Sequence, residues 1–257
     1  MRKLAVGILL PSTVALSALT GPAAEAVTGD GDLKITNVSI NGGKSVVVGT
    51  TTMKTFILAI TATDSSGING AYSDVWSTTT ATGFGYHENL GCKAVNATTA
   101  TCSMSYVMDP GSAEGRVGLD NAQAGGWNAY MEISSKDHDV VTRNNQDKFY
   151  VKRYAKLTTD ASPEPVRKGG TLTVTGKLSR ANWDDNAYHG YAGQSVKLQF
   201  RKAGTSTYTT VKTITTSSTG SLRTTVTAFS DGYWRYAFAG TTTTASAKAT
   251  GDYVDTK

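Results

Sequence analysis

Much of what usually signals an enzyme or a helical protein is absent from these 257 residues, which contain only two cysteines, five prolines and three histidines. No stretch repeats apolar residues at the three-to-four spacing of an amphipathic helix, so bundles and parallel α/β folds with crossover helices are excluded. The motif GxSxG of a nucleophile elbow does not occur, nor does HExxH, and no EF-hand loop spacing is present. Two cysteines alone cannot complete a zinc site. After the first 26 residues no run is long and apolar enough to span a membrane, and the closing GDYVDTK offers no hydrophobic anchor. No catalytic residue is therefore assigned, and the expectation is a protein that is not an enzyme.

What is present begins with an export signal. Arg2 and Lys3 precede the largely apolar LAVGILLPSTVALSALTG, and Ala24-Glu25-Ala26 forms a small-x-small cleavage site. This is the layout of a signal peptide over residues 1–26. Pro11, Ser12, Thr13 and Ser17 interrupt the run, which argues against a membrane span. The expected location is secreted and extracellular. In that setting Cys92 and Cys102 form a structural disulfide, stapling a hairpin whose polar middle contains Asn96.

The mature part has room for two domains of ordinary size. Short segments rich in Thr, Val, Ile and aromatics alternate between apolar and polar residues, separated by Gly, Asn, Asp and Ser. The prolines flanking Glu164 in DASPEPVRKGG follow the strand-like DKFYVKRYAKL, and the boundary is placed at Tyr154. The expected fold is all-β, with two immunoglobulin-like antiparallel β-sandwiches at 27–153 and 154–257.

Side-chain parity indicates which face of each strand is buried. In the second half Leu172, Val174 and Leu178 share a face, as do Val196, Leu198 and Phe200. Val211 and Ile214 differ in parity, which predicts a bulge or a change of sheet. Leu222, Thr224, Val226 and Ala228 fall together, and Asp231-Gly232 reads as a hairpin turn. In SDGYWRYAFAG, Arg235 belongs in water, so Trp234, Tyr236 and Phe238 face inward. In the first half the inward sets are Phe56, Leu58 and Ile60, then Trp127, Ala129, Met131 and Ile133. In both halves a glycine turn precedes a late aromatic strand, a hint of repeated architecture.

The segments DASPEPVRKGGTLTVTGKL, GYAGQSVKLQFRK and SDGYWRYAFAGT resemble the Ig-like module of secreted actinobacterial proteins. The first half more loosely resembles bacterial Ig-like domains that carry TATDSSGI at a strand end and an Asp-rich turn after the penultimate strand. That resemblance implies no catalytic residue. It does imply calcium, because some members are described as calcium-binding.

Three places could carry chemistry. The long loop RANWDDNAYHGYAG sets Trp183, Tyr188, His189 and Tyr191 among Asp184, Asp185 and Asn186. Rings beside carboxylates suit a sugar, and the alternative is that the rings plug the open end of the core. Oxygen ligands for calcium could come from Asp30, Asp32 or Asp64, with Asp137 and Asp139 the favoured pair. His138 lies between that pair, where a polar turn is the expectation, and His87 has no motif around it. Charge is uneven: residues 27–153 hold ten Lys and Arg against twelve Asp and Glu, and residues 154–257 hold thirteen against seven. A basic half could meet an anionic cell-wall polymer. Its cations stand singly along alternating strands, the pattern of a solvated face, which weighs against any anionic polymer, and nucleic acid is not the expected partner. Extracellular binding, adhesion or cell-envelope interaction is the expected role, with a carbohydrate-binding accessory protein or a calcium-binding protein as alternatives.

Overall fold

The computed structural model describes residues 26–28, 31–86, 91–111 and 118–257. The expected leader, apart from Ala26, lies outside them, as do Asp30 and His87. Among the described residues there is no α-helix, only two short 3₁₀ turns at Asn41–Gly43 and Asn121–Gln123.

Among the described residues, ten strands build the first half: β1 (Ala26–Thr28), β2 (Lys34–Ile40), β3 (Val46–Val48), β4 (Lys54–Thr63), β5 (Ile68–Ser77), β6 (Gly83–Tyr86), β7 (Gly91–Ala94), β8 (Thr99–Met108), β9 (Gly125–Ser135) and β10 (Val140–Arg153). One sheet runs β2-β4-β8-β7, and the other runs β1-β10-β9-β5-β6. The short β3 adds to β10 in parallel. The second half contains β11 (Ala155–Leu157), β12 (Asp160–Ser162), β13 (Thr171–Asn182), β14 (Ala187–Gly190), β15 (Ser195–Lys202), β16 (Thr209–Thr215), β17 (Ser221–Thr227), β18 (Gly232–Phe238), β19 (Ala247–Lys248) and β20 (Asp252–Val254). Here β13 pairs with β11, β12, β14 and β17, facing a sheet ordered β16-β15-β18 with β19 and β20 on the far edge.

These orders are those of immunoglobulin-like sandwiches. In that fold the first, second, fifth and fourth strands form one sheet, and the third, sixth and seventh form the other. In the first half β2, β4, β8 and β7 fill the first set, while β5, β9 and β10 fill the second. In the second half β12, β13 and β17 oppose β15, β18 and β20. The two halves therefore repeat one architecture. Gly125-Gly126-Trp127 opens β9 and Gly232-Tyr233-Trp234 opens β18, the same position in each.

Parity places the core as expected. Trp127, Ala129, Met131 and Ile133 are fully buried, as are Leu58 and Ile60, with Phe56 nearly so. The Phe56 ring stacks on Tyr106 at 5.2 Å and lies 5.4 Å from Phe149, which meets Trp127 at 6.1 Å. In the second sandwich Trp234, Tyr236 and Phe238 all point inward, with Phe200 at 4.7 Å from Trp234. The Tyr236 hydroxyl donates to the Val174 carbonyl across the core at 2.9 Å. The expected bulge is at Val211: Leu198 faces Lys212 and the adjacent Gln199 faces Thr210, leaving Val211 unpaired and exposed.

Cys92 and Cys102 are bonded directly across the β7–β8 hairpin. Asn96 Oδ1 shapes its turn by accepting the Thr98 N–H at 3.0 Å. One local expectation fails. Asp231-Gly232 is not a hairpin turn, because β17 and β18 belong to opposite sheets. The chain crosses the sandwich there. Gly232 is needed for close approach, since a Cβ would lie 2.4 Å from the Arg201 carbonyl and 2.5 Å from the Phe200 ring. Asp231 accepts both the N–H and hydroxyl of Thr256, anchoring the crossing to the final strand's extension.

Candidate functional site

Trp183 is placed by β13, a twelve-residue strand that runs past the end of its own sandwich. Its indole is 2% exposed and sits with Ala181 in the hydrophobic core of the first half. The indole N–H donates to the Gly49 carbonyl at 2.9 Å, and the Trp183 backbone N–H donates to Asn121 Oδ1 at 3.1 Å. Asp184 accepts from the Asn121 backbone at 2.9 Å, and the Asn186 amide, oriented to satisfy its neighbours, donates to the carbonyls of Pro110 and Thr50. Trp183 is therefore a plug for an open core end, as one reading of the loop had it, but the core is not its own. It offers no face to a sugar, which corrects the other reading. It closes the open end of the neighbouring sandwich.

The junction is continuous on its other side. A single residue, Tyr154, separates β10 from β11, and its N–H donates to the Val48 carbonyl at 2.8 Å. The buried Arg153 donates through Nε to the Ala181 carbonyl at 2.6 Å, while its backbone bonds Thr243 and Ala245 of the second half. Desolvation, with Arg180 nearby, lowers the Arg153 guanidinium to about 10, which leaves it charged at neutral pH. Tyr188 lies under the Lys156 ammonium at 3.5 Å and meets Tyr154 edge-on. Asp185 and His189 stay at the surface. His189 Nε2 is 2.6 Å from Asp185 Oδ2, both exposed, and Tyr191 packs on Phe238 beneath Arg180. Desolvation pushes the Asp185 carboxyl up, but its bonds to His189 and the Ala187 N–H outweigh this and hold it below the ordinary value.

At the opposite end of the first sandwich the acidic turns meet. The β4–β5 turn brings Asp64, and the β9–β10 turn brings Asp137 and Asp139. One carboxylate oxygen from each lies within 4.8 Å of the others. Asp64 Oδ1 is tied to its own turn, accepting the Ser66 N–H at 2.7 Å and the Ser66 hydroxyl at 2.6 Å. The same hydroxyl oxygen accepts the Asp137 N–H at 3.2 Å, joining the two turns. Ser135 Oγ donates to Asp137 and accepts the Asp139 N–H at 3.0 Å. Asp137 is exposed, and the Ser135 hydroxyl is the main cause that holds its carboxyl below the usual range. Asp32 approaches from the chain before β2, where Ser65 donates its N–H at 3.2 Å and its hydroxyl at 3.3 Å. The Ser65 N–H is the main reason its carboxyl titrates low. His138 stands between the two acids in left-handed backbone (φ 76°), and its N–H closes the turn on the Ser135 carbonyl. It is not among the grouped ligand atoms.

A third feature was not singled out in the sequence. The solvent face of β15, β18 and β20 alternates tyrosine with arginine. Register sets Arg201 opposite Tyr233, Tyr233 opposite Tyr253, and Gln199 opposite Arg235. The Arg201 guanidinium lies over the Tyr233 ring at 3.9 Å, and that of Arg235 over Tyr208 at 3.6 Å. Arg235 Nε donates to Gln199 Oε1 at 3.0 Å, and Arg201 Nη1 donates to the Thr205 carbonyl at 2.6 Å. The signal was available, because Tyr233 shares the outward parity of Arg235. The register supplies Arg201 and Tyr253, and the loop before β16 brings Tyr208.

No family model matches the chain, and no curated protein matches it. Among solved structures it is similar to the D00-D0 domain of intimin, at 11% identity over 89% of this chain and 99% of that one, with a TM-score of 0.28. It is also similar to a structure described as structural insight into host cell surface retention of a 1.5-MDa bacterial ice-binding adhesin, at 12% identity and a TM-score of 0.26. That match covers 86% of this chain and 65% of the adhesin chain. The full ectodomain of mouse nectin-like molecule 4 is similar at 11% identity over 90% of this chain and 65% of that one, with a TM-score of 0.24. The fold itself rests on the strand order and register described above.

Proposed function

We propose that the chain is a secreted, non-enzymatic immunoglobulin-like protein that acts by extracellular binding, and that it docks an anionic cell-wall polymer on the arginine–tyrosine face of its second sandwich. The cystine at Cys92–Cys102 fits an oxidising compartment. No helix among the described residues is long and apolar enough to cross a membrane. The observation that carries the reading is the pairing of two guanidinium groups with tyrosine rings on one sheet face. Rings that hold a guanidinium flat limit the ordering cost of binding, and arginine presents a planar fork of donors to phosphate or carboxylate. Tyrosine adds flat surface for a sugar ring.

Co-sedimentation of the purified chain with isolated cell walls tests this, read against salt. The expected result is binding that weakens as salt rises and falls about tenfold or more in the Arg201→Ser/Arg235→Ser double variant, a loss of at least about 1.4 kcal/mol. Equal binding by the parent and the double variant would remove this face from the account. Turnover of a polysaccharide or peptide by the purified chain would overturn the non-enzymatic part.

A further inference from the structure

We propose that Asp64, Asp137 and Asp139, with Asp32 alongside, form a calcium site at the end of the first sandwich farthest from the junction. Proximity of acids is not by itself the argument. Asp64 is 1% exposed, and its Oδ2 is buried with no hydrogen-bond partner. A carboxylate oxygen withdrawn from water without a donor is strongly unfavourable. Its other oxygen is already held by Ser66, so the side chain cannot swing out to reach solvent without breaking the turn. One carboxylate oxygen each from Asp137 and Asp139 lies within 4.8 Å of an Asp64 carboxylate oxygen. A cation between them answers both problems, the orphaned oxygen and the mutual repulsion.

The backbone is arranged for the same end. Gly31 has no side chain, and a Cβ there would lie 1.1 Å from Asp139 Oδ2. The segment that carries Asp32 can therefore lie directly against the Asp139 carboxylate. Ser65, Ser66 and Ser135 orient three of the four acids, and the N–H of Lys136 bonds the Gly67 carbonyl at 2.9 Å to lock the two turns in place. The donors are all oxygen, without nitrogen or sulfur, which selects a hard cation over zinc or copper. Carboxylates on separate turns suit calcium, which accepts six to eight oxygens in variable geometry, better than magnesium, which demands a near-ideal octahedron. Calcium there would cross-link the approach to β2, the β4–β5 turn and the β9–β10 turn.

Thermal melting of the full chain in calcium chloride, in magnesium chloride and in EDTA tests this. With calcium far above its dissociation constant, the midpoint should rise by about 5–10 °C over EDTA. Asp64→Asn should abolish the rise. Should Asp64→Asn not fold, Asp137→Asn decides, because Asp137 is exposed and outside the core. An unchanged parent midpoint, or a rise retained by whichever of these variants folds, would overturn the site. An equal rise in magnesium would overturn the assignment to calcium.

Discussion

Two hydroxyls tie the buried tyrosines of the two cores to the protein's behaviour at high pH. Tyr106 donates to the Ser73 carbonyl at 2.8 Å, and Tyr236 donates to that of Val174. Burial pushes both up to about 12 from an ordinary value of 10. A tyrosine raised in the fold is neutral in both states below pH 10, so its contribution is fully present there. Between pH 10 and 12 the unfolded chain releases the proton first, and stability falls as pH rises. Each two-unit shift corresponds to about 2–3 kcal/mol. Arg153, lowered to about 10, opposes this in part by gaining stability over the same window. Denaturant melts at pH 9 and pH 12 should show a net loss for the parent, reduced in Tyr236→Phe. An identical loss in that variant would show that the hydroxyl titrates as it does in water. At this scale the sequence was informative wherever alternation decided the face. It allowed Trp183 as a plug but did not say for which core, because that side chain's partner, Gly49, is 134 residues away.

Among elements, β18 shows what the pleat makes legible. Arg235 fixes the outward parity, and Trp234, Tyr236 and Phe238 follow inward between the sheets. Trp234→Ala should lose about 3–5 kcal/mol, because a ring packed against Phe200 leaves a cavity when removed. Equilibrium denaturation measures this, and an unchanged midpoint would mean that the ring is exposed. The bulge in β16 was also visible, since Val211 and Ile214 differ in parity. The turn at Asp231-Gly232 was not. The same dipeptide serves a two-residue hairpin and a crossing between sheets, and only the strand partners distinguish them. The acidic end was half visible: Asp137 and Asp139 are near neighbours in sequence, but Asp64 joins them only because β5 pairs with β9 and brings the two turns together. The arginine–tyrosine face has the same origin, since its members come from β15, β18, β20 and the approach to β16.

Across the whole molecule, β10 is the axis. It begins at the acidic turns and ends at the junction, fourteen residues and roughly 40 Å later. At that junction the second sandwich inserts Trp183 into the first and takes the Arg153 guanidinium in return. The two halves should therefore lose stability together, although each has a hydrophobic cluster of its own. Composition and turn spacing revealed the two halves but not their dependence, since nothing local marks a ring whose cavity belongs to another domain. Hydrogen exchange resolved by peptide, comparing the parent with Trp183→Ala, is the direct test. The expected result is reduced protection throughout the first sandwich, by about 3–5 kcal/mol in its most protected strands, from a substitution in the second. Protection lost only around residues 180–190, with β4, β8 and β9 unchanged, would contradict it.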